Sequence, residues 1–368
     1  MPKTEFIRRH IGEHHSHNHH HLHHGAGHDN CPPPLVELKR AGLYESLHRG
    51  AIVLSDPTGR VEKSLGHPAM PTYLRSAAKP LQALPVIETG AADRFQLTDS
   101  ELAVMSGSLN GEDFQVKAVR SILKKANLTE DLLDCGVHRP SHRPTAKAML
   151  SQGIKPLPIH NNCAGKHAAM LVLCAHLGFD PKGYTEKGHP VQNLILETVA
   201  QLCDYPAEQI GQGIDGCGVP VFRVPLHSLA GAYARLAAPA RANLTPERIQ
   251  AVERLMKACL AHPEMIAGHE RLCTRLMQAA PNRFLAKTGT EGSYALAIPE
   301  LGLGVALQIE DGAMRALAPC VSEILHQLGI LDHQLLDGEL KDLHKPVLKN
   351  HRSQEVAQLS PVFDLDLT

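Results

Sequence analysis

The sequence contains no tryptophan, and aromatic residues make up only 4% of its 368 residues. It therefore has little material for the stacking surfaces that bind bases or sugars. The formal net charge is −1, so no strong field favours nucleic acid or an anionic membrane. A chain of this length can bury a substantial core, either in one large domain or in two lobes.

Long apolar runs and a regular cysteine framework are also missing. We find no run of about 18 apolar residues and no charged start with a short apolar core, as a signal peptide would have. The nine cysteines are scattered, which favours reduced thiols over a disulfide scaffold. We therefore expect a soluble, cytoplasmic protein with neither nucleic-acid nor membrane partners.

Histidine is concentrated in residues 1–34, which hold ten of the 25 histidines and end in Pro32–Pro34. This composition cannot bury a core, so we expect a disordered tail. Clustered imidazoles bind transition metals, which makes weak metal capture one hypothesis. The alternative interpretation is a solvated or artificial extension.

Three short motifs follow in a fixed order. Ser76 and Lys79 form a Ser-x-x-Lys, Ser108-Leu109-Asn110 forms a Ser-x-Asn, and Lys287-Thr288-Gly289 forms a Lys-Thr-Gly. Positions three apart share one face of a helix, so Ser76 and Lys79 are expected to meet. Each motif alone is weak, because such residues occur by chance. The ordered set is that of the serine β-lactamases and penicillin-binding proteins.

The chemistry explains why these motifs would be needed together. Ser76 can attack a carbonyl carbon only if Lys79 takes its proton, which requires burial or nearby cations to lower the lysine pKa from about 10.4. Ser108 and Lys287 can relay protons to a leaving amine and hold a substrate carboxylate. The strand edge at Lys287–Gly289 can present backbone N–H groups to a developing oxyanion.

The order of predicted elements indicates an α/β (α+β) fold in which both chain ends build one antiparallel sheet around an inserted helical lobe. A hairpin is predicted over residues 51–65 and a second pair of strands over 292–309. A helix is predicted from Ala313 to Leu328.

The predicted division has three parts. Residues 1–34 form the tail, residues 35–338 the catalytic domain, and residues 339–368 a loosely packed C-terminal tail. Within the domain, the sheet region covers about residues 35–75 and 281–335, and the helical lobe covers about residues 76–280.

A second candidate site surrounds two cysteines. Cys163 and Lys166 are three apart on a predicted helix, and Cys217 follows Asp215 in a glycine-rich turn. On spacing alone, buried free cysteine is the usual interpretation. A metal pair of Cys163 and Cys217 is the alternative.

Five ordered blocks, spread over about residues 35–335, resemble the L-asparaginase II family of the Rhizobium etli type. They are Arg75–Pro85, Ser108–Glu112, Asn162–Ala169, Asp215–Pro220 and Lys287–Gly292. The resemblance implies a serine β-lactamase-like fold and a homodimer that hydrolyses the small molecule L-asparagine to L-aspartate and ammonia. Leu109 departs from the family pattern, which has histidine at that position.

The resemblance also implies roles for single residues. Two Ser-Lys pairs are expected, Ser76 with Lys79 and Ser108 with Lys287, and Ser76 is favoured as the nucleophile over Ser108. Zinc is expected as the cofactor. Its ligands would be Cys163, Lys166 and Cys217, with Asp215 beside them, and the substrate would contact Arg75, Asn110, Thr288 and Gly289.

Two alternative functions stay open at this point. A β-lactamase or a peptidase acting on D-Ala peptides shares the motif triple, although such enzymes are normally exported. A non-catalytic metal-binding or storage protein would instead use the histidine-rich tail.

Overall fold

The structure, a computed structural model, describes residues 31–367. The histidine-rich residues 1–30, and the metal capture considered for them, lie outside the described residues. The strands are β1 (Pro34–Arg40), β2 (Leu43–Ser55), β3 (Val61–Leu65), β4 (Pro71–Tyr73), β5 (Gly211–Ile214), β6 (Pro220–Pro225), β7 (Leu285–Thr288), β8 (Ser293–Ile298), β9 (Leu303–Ile309), β10 (Val347–Lys349) and β11 (Glu355–Pro361).

The main sheet has eight strands in the order β10-β11-β1-β2-β9-β8-β7, with β3 paired to the second half of β2. All neighbouring strands are antiparallel. The central strands are apolar along most of their length, and every residue of β8 is buried, as expected for strands covered on both faces. Strands from both chain ends therefore share one sheet, which confirms the predicted fold class.

The C-terminal segment belongs to this sheet, so the prediction of a loosely packed tail after residue 338 is wrong. Strand β11 pairs with β1 from Pro361 opposite Val36 to Ala357 opposite Arg40. Ala357 and Leu359 are buried, and their neighbours along the strand are more exposed. Such alternation is typical of a half-buried strand. The polar residues on the outer face concealed it in the sequence.

The helices are α1 (Lys79–Glu88), α2 (Ala91–Arg94), α3 (Asp99–Met105), α4 (Asp113–Lys125), α5 (Arg143–Ser151), α6 (Ala164–Leu177), α7 (Pro190–Cys203), α8 (Leu226–Ala237), α9 (Pro246–Ala261), α10 (Pro263–Ala267), α11 (Leu272–Ala279), α12 (Leu317–Gln327), α13 (His333–Asp337) and α14 (Lys341–His344). Short 3₁₀ helices cover Arg75–Ala78, Glu130–Leu132, Pro158–His160, Ala207–Gln209, Pro239–Arg241 and Met314–Ala316. No helix among the described residues is both long and apolar enough to cross a membrane.

The inserted lobe contains most of these helices and a small sheet that the sequence analysis missed. Helix α1 packs against α6, α7 and α9 in its interior. Strands β4, β6 and β5 form an antiparallel sheet in that order. These strands are short, and each of the three contains glycine or proline, so their periodicity gave no signal.

Tight helix packing joins the lobe to the sheet and positions the site. Helix α8 lies on β2, β8 and β9. It approaches β9 so closely that a Cβ on Gly304 would lie 2.0 Å from the carbonyl oxygen of Ala230. Helices α6 and α3 are equally close, since a Cβ on Gly165 would lie 2.1 Å from the carbonyl oxygen of Val104. Helix α12 packs on β1 and β11.

Candidate active site

The hydroxyl of Ser108 lies between two buried lysine amines. Lys79 Nζ is 3.1 Å and Lys287 Nζ 2.8 Å from Ser108 Oγ. Each amine also donates to a backbone carbonyl, Lys79 to Asn162 and Lys287 to Thr288, both at 2.9 Å. The two lysines are 0% and 1% exposed. Three motifs that are far apart in the sequence therefore meet at one hydroxyl group.

Local contacts explain why the Ser108 loop is held in this place. Helix α3 begins with a capping box in which Thr98 and Glu101 bond each other's backbone N–H groups. The loop after this helix is fixed by bonds from Ser108 N–H to the Ile266 carbonyl (2.7 Å) and from Leu109 N–H to the Asn162 carbonyl (3.0 Å). The Leu109 side chain is part of the hydrophobic core. A leucine in place of the family's histidine therefore contributes packing here.

Burial lowers the pKa of both lysines that contact Ser108. For Lys287 burial is the largest cause, the positive charge of Lys79 adds to it, and the pKa falls to about 7. For Lys79 burial again dominates and the pKa is lowered, although the nearby Cys163 acts in the opposite direction. An amine with a pKa near 7 is largely neutral at physiological pH and can accept a proton from a hydroxyl.

Ser76 occupies a different environment from Ser108. It lies in the 3₁₀ helix just before α1 and is half-buried. Within the described residues its hydroxyl makes no hydrogen bond, and the Lys79 amine is directed to Ser108 instead. The two residues are joined only through the backbone, from Lys79 N–H to the Ser76 carbonyl. Arg75 immediately before has a φ of 47°, a strained conformation for a residue other than glycine.

The Lys-Thr-Gly motif ends β7, the edge strand of the main sheet. The backbone N–H of Thr288 donates to Cys273 Sγ at 3.3 Å, and that of Gly289 donates to the Ser293 carbonyl at 2.8 Å. These two groups are therefore occupied, and the predicted presentation of their N–H groups to an oxyanion is not seen. A side chain at position 289 would meet Ser293 Cβ at 2.9 Å, which explains the glycine.

Sequence reasoning missed Cys273, a buried residue of α11. Its sulfur lies 2.9 Å from Thr288 Oγ1 and 3.4 Å from the Tyr294 hydroxyl. Cys273 therefore helps to fix the strand that carries Lys287. In the sequence it is one more cysteine in an apolar helical pattern, and no signal distinguished it.

A second cluster contains the two cysteines predicted as metal ligands. Sulfur atoms of Cys163 and Cys217 and a carboxylate oxygen of Asp215 all lie within 4.8 Å of one another. Lys166 Nζ donates to Asp215 Oδ2 at 3.1 Å, and Arg75 Nε donates to Asp215 Oδ1 at 3.2 Å. Two thiols, an amine and a carboxylate form a donor set that suits zinc.

The charges in this cluster are mutually stabilised. A hydrogen bond with Cys217 lowers the pKa of the Cys163 thiol well below its ordinary value, against burial and with help from Lys166. Burial would raise the pKa of Asp215, but the charge and hydrogen bond of Lys166 outweigh it and hold this pKa at about 2. Burial likewise opposes the charge of Lys166, yet Cys163, Cys217 and Asp215 together raise its pKa. Lys166 is therefore protonated unless a metal displaces the proton.

Of the predicted substrate-binding residues, Arg75 lines an open cleft and Asn110 is buried. The cleft has a volume of about 460 Å³ and is also lined by Tyr73, Ile214 and Thr290. Asn110 is 2% exposed, and its amide oxygen has no hydrogen-bond partner among the described groups.

Comparison with known proteins gives one family match. The profile of the L-asparaginase II family matches residues 36–361, a range that includes both clusters. A comparison with curated proteins found no match.

Several solved structures resemble the chain at low identity. One is a protein from Bacteroides dorei DSM 17855 assigned as a beta-lactamase, with 12% identity, a TM-score of 0.41 and coverage of 75% of this chain and 93% of that chain. Another is the D-alanine carboxypeptidase AmpC from Burkholderia cenocepacia, with 14% identity, a TM-score of 0.34 and coverage of 74% and 93%. A class C beta lactamase from Rhodobacter sphaeroides has 13% identity, a TM-score of 0.32 and coverage of 80% and 95%.

Proposed function

The chain belongs to the L-asparaginase II family, and from this premise we propose that it hydrolyses L-asparagine to L-aspartate and ammonia. The observation that carries the proposal is the Ser108 hydroxyl held between two buried amines, of which Lys287 has a pKa of about 7. Hydrolysis of an unactivated amide by a serine requires a nearby base of this kind and an acid that protonates the leaving nitrogen.

In the proposed reaction Ser76 attacks the side-chain amide carbon of asparagine. Ser76 is half-buried and its hydroxyl makes no hydrogen bond within the described residues, so a substrate can reach it. Lys79, which follows three positions later, takes the proton after a rotation of its side chain. The attack forms an aspartyl ester at Ser76 and transfers a proton toward the leaving nitrogen, which departs as ammonia. Water then hydrolyses the ester by the reverse proton path.

Ser108 acts as the proton relay in this scheme. A hydroxyl can accept a hydrogen bond and donate its own proton at the same time. Because both Lys79 and Lys287 contact Ser108 Oγ, a proton taken up at one amine can reach the other through the hydroxyl. Arg75, whose guanidinium keeps donors beyond its bond to Asp215, is proposed to bind the substrate carboxylate.

Ser108 is also the rival nucleophile, because its hydroxyl already contacts two amines. The two serines are distinguished by acid-quenching the enzyme during turnover and mapping the aspartyl adduct by peptide mass spectrometry. An adduct on the peptide containing Ser76 supports the scheme. An adduct on the peptide containing Ser108 would instead identify Ser108 as the nucleophile and leave Ser76 as the candidate relay.

We further propose that Cys163, Lys166 and Cys217 bind zinc, with Asp215 beside them. The proposal is supported by the close approach of the thiols and the carboxylate and by the low pKa of Cys163. Zinc would supply a Lewis-acidic positive charge there. Metal content of the purified protein tests this. Cys163→Ser and Cys217→Ser should each lose most of the zinc, whereas Cys174→Ser, which replaces a buried cysteine of the helix that carries Lys166, should retain it.

The defining experiment is ammonia release from L-asparagine by the purified protein, with nitrocefin and a D-Ala-D-Ala peptide as parallel substrates. Release from asparagine alone supports the proposal. Turnover of nitrocefin or the peptide without ammonia release would favour the β-lactamase or peptidase alternative, and no turnover of any amide would favour a metal-binding protein.

A cytoplasmic homodimer is part of the same proposal. It is supported by the family membership and by the nine cysteines, all of which are free. Sedimentation velocity measures the oligomeric state.

A further inference from the structure

Glu112 is a buried carboxylate close to the site that the proposed reaction does not use. It is 6% exposed. One of its oxygens accepts the backbone N–H of His269 at 2.9 Å, and the other lies 2.9 Å from Nδ1 of the same residue. His142 Nε2 is 3.7 Å away. We call this double contact between Glu112 and His269 the clamp, since it fixes the loop after α10 against the loop that carries Ser108.

The clamp brings Gly268 directly onto the side chain of Asn110. A Cβ on Gly268 would lie 2.2 Å from Nδ2, 2.3 Å from Cγ and 2.4 Å from Oδ1 of Asn110. The backbone of Asn110 is also held, because its N–H donates to Gln115 Oε1 at 3.0 Å and its carbonyl accepts His142 N–H at 3.0 Å. The position of this amide is therefore determined by contacts on several sides.

The amide oxygen of Asn110 is nevertheless left without a donor among the described groups, in a side chain that is 2% exposed. Buried polar atoms in native proteins are nearly always hydrogen-bonded, and the exceptions call for an explanation. Leu109 packs into the core. Asn110 lies two positions after Ser108 in the same loop, and its backbone is fixed there by the bonds to Gln115 and His142. A ligand bound at Ser108 is thus the natural source of the missing donor.

The charges around the site indicate what kind of donor it is. Burial would raise the pKa of Glu112, but the side chain and backbone of His269, and then the Asn110 amide, outweigh it and lower the pKa. Glu112 is therefore ionised. The unpaired amide oxygen of Asn110 thus lies close to a negatively charged carboxylate. Arg75, whose guanidinium keeps donors beyond its bond to Asp215, supplies positive charge elsewhere in the site. A zwitterionic amino acid needs both kinds of partner.

We propose that the amide oxygen of Asn110, held in place by the Glu112–His269 clamp, accepts an N–H from the α-ammonium group of the substrate. Glu112 is then a positioning residue that makes the enzyme select amino acids over amides without an α-amino group. This inference rests on the proposed amide hydrolysis.

The experiment compares L-asparagine with succinamic acid, which is asparagine without its α-amino group. The wild-type enzyme should prefer L-asparagine by at least about a hundredfold in kcat/KM. Glu112→Gln keeps the size and removes the charge, and Asn110→Ala removes the acceptor. Each should lower kcat/KM for L-asparagine about tenfold or more, mainly through KM, while that for succinamic acid changes less than about threefold.

Glu323→Gln is the matched control. Glu323 forms the same kind of carboxylate–histidine contact, with His344 at 2.8 Å, but lies on α12 beside β1 and β11. It should leave the preference unchanged.

Three results would overturn the inference. One is a wild-type enzyme that hydrolyses both substrates equally well. Another is an equal loss for both substrates in Asn110→Ala, which would show a purely structural role. The third is an unchanged preference in a folded Glu112→Gln variant. If Glu112→Gln does not fold, the inference is tested by Asn110→Ala alone, through its kcat/KM for L-asparagine and for succinamic acid. A wild-type protein that hydrolyses neither substrate would instead refute the proposed function itself.

Discussion

Replacing Lys287 by methionine should stabilise the fold while abolishing activity. The amine is 1% exposed, and its contacts are the neutral Ser108 hydroxyl and Thr288 carbonyl. Burial and the charge of Lys79 lower its pKa from 10.5 to about 7. Methionine has a similar length and no charge, so it can fill the same volume without the cost of burying an ammonium group.

The size and the pH dependence of the effect follow from this pKa. A fall in pKa from 10.5 to about 7 means that the charged form of Lys287 lowers the free energy of unfolding by about 5 kcal/mol. The unfolded chain binds this proton up to pH 10.5 and the folded chain only up to about pH 7. Raising the pH from 7 to 10.5 therefore increases the free energy of unfolding of the wild-type protein by about 1.4 kcal/mol per pH unit. The advantage of Lys287→Met should be complete below pH 7 and shrink as the pH rises. Two lost hydrogen bonds, each contributing about 1 kcal/mol, reduce it.

Urea unfolding of both proteins at pH 6.5, 7.5, 8.5 and 9.5 measures the difference in the free energy of unfolding. Lys257→Met is the control, because Lys257 is exposed on α9, and its difference from wild type should be small at every pH. A Lys287→Met advantage that does not change with pH would refute the reasoning, since it would mean that Lys287 keeps its ordinary pKa in the folded state. A less stable variant at pH 6.5 would refute it as well.

Three further predictions concern turnover and packing. Ser76→Ala and Ser108→Ala should each lower kcat for ammonia release by about a hundredfold or more; full activity in either variant would remove that serine from the mechanism. In the wild type, kcat/KM should fall about tenfold per pH unit below pH 7, because protonated Lys287 cannot accept a proton relayed from Lys79 through Ser108. A flat profile down to pH 5 would exclude this role. Gly304→Ala should destabilise the fold by more than about 2 kcal/mol in urea unfolding, because the new Cβ overlaps the Ala230 carbonyl, and an unchanged midpoint would contradict the close contact.

The sequence predicted the sheet well at the apolar second half of β2 and at β8 and β9, and the turn signal at residues 56–59 indicated that β3 follows β2 in a hairpin. The predicted strands over residues 51–65 and 292–309 appear as β2 with β3 and as β8 with β9. It failed at β11, where only alternate residues are buried. The pairing of β11 with β1 depends on contacts over more than 300 positions, which no local pattern records.

The site shows the same division between local and long-range information. The order of the three motifs predicted that Ser108, Lys79 and Lys287 belong together, and the structure places them within hydrogen-bond distance. The direction of the Lys79 side chain was not predictable, because helical spacing favours Ser76 and only the folded loop offers Ser108 and the Asn162 carbonyl. Glu112 was passed over for a similar reason, since its partner His269 is distant in the sequence.

The partners of the buried lysines explain which of them can serve as bases. Lys79, Lys166 and Lys287 are all buried. Desolvation therefore disfavours the charged form of each amine and lowers its pKa. Lys166 faces Asp215 and the two thiols, and its pKa is raised. Within the described residues no carboxylate forms an ion pair with Lys79 or Lys287, and their pKa values are lowered. Asp215 bonds both Arg75 and Lys166, and its charge helps to keep Lys166 protonated. Lys287, with a pKa of about 7, is therefore the amine that can lose its proton near neutral pH, and burial lowers the pKa of Lys79 in the same direction. A carboxylate introduced beside either amine would raise its pKa and abolish the base that the proposed hydrolysis requires.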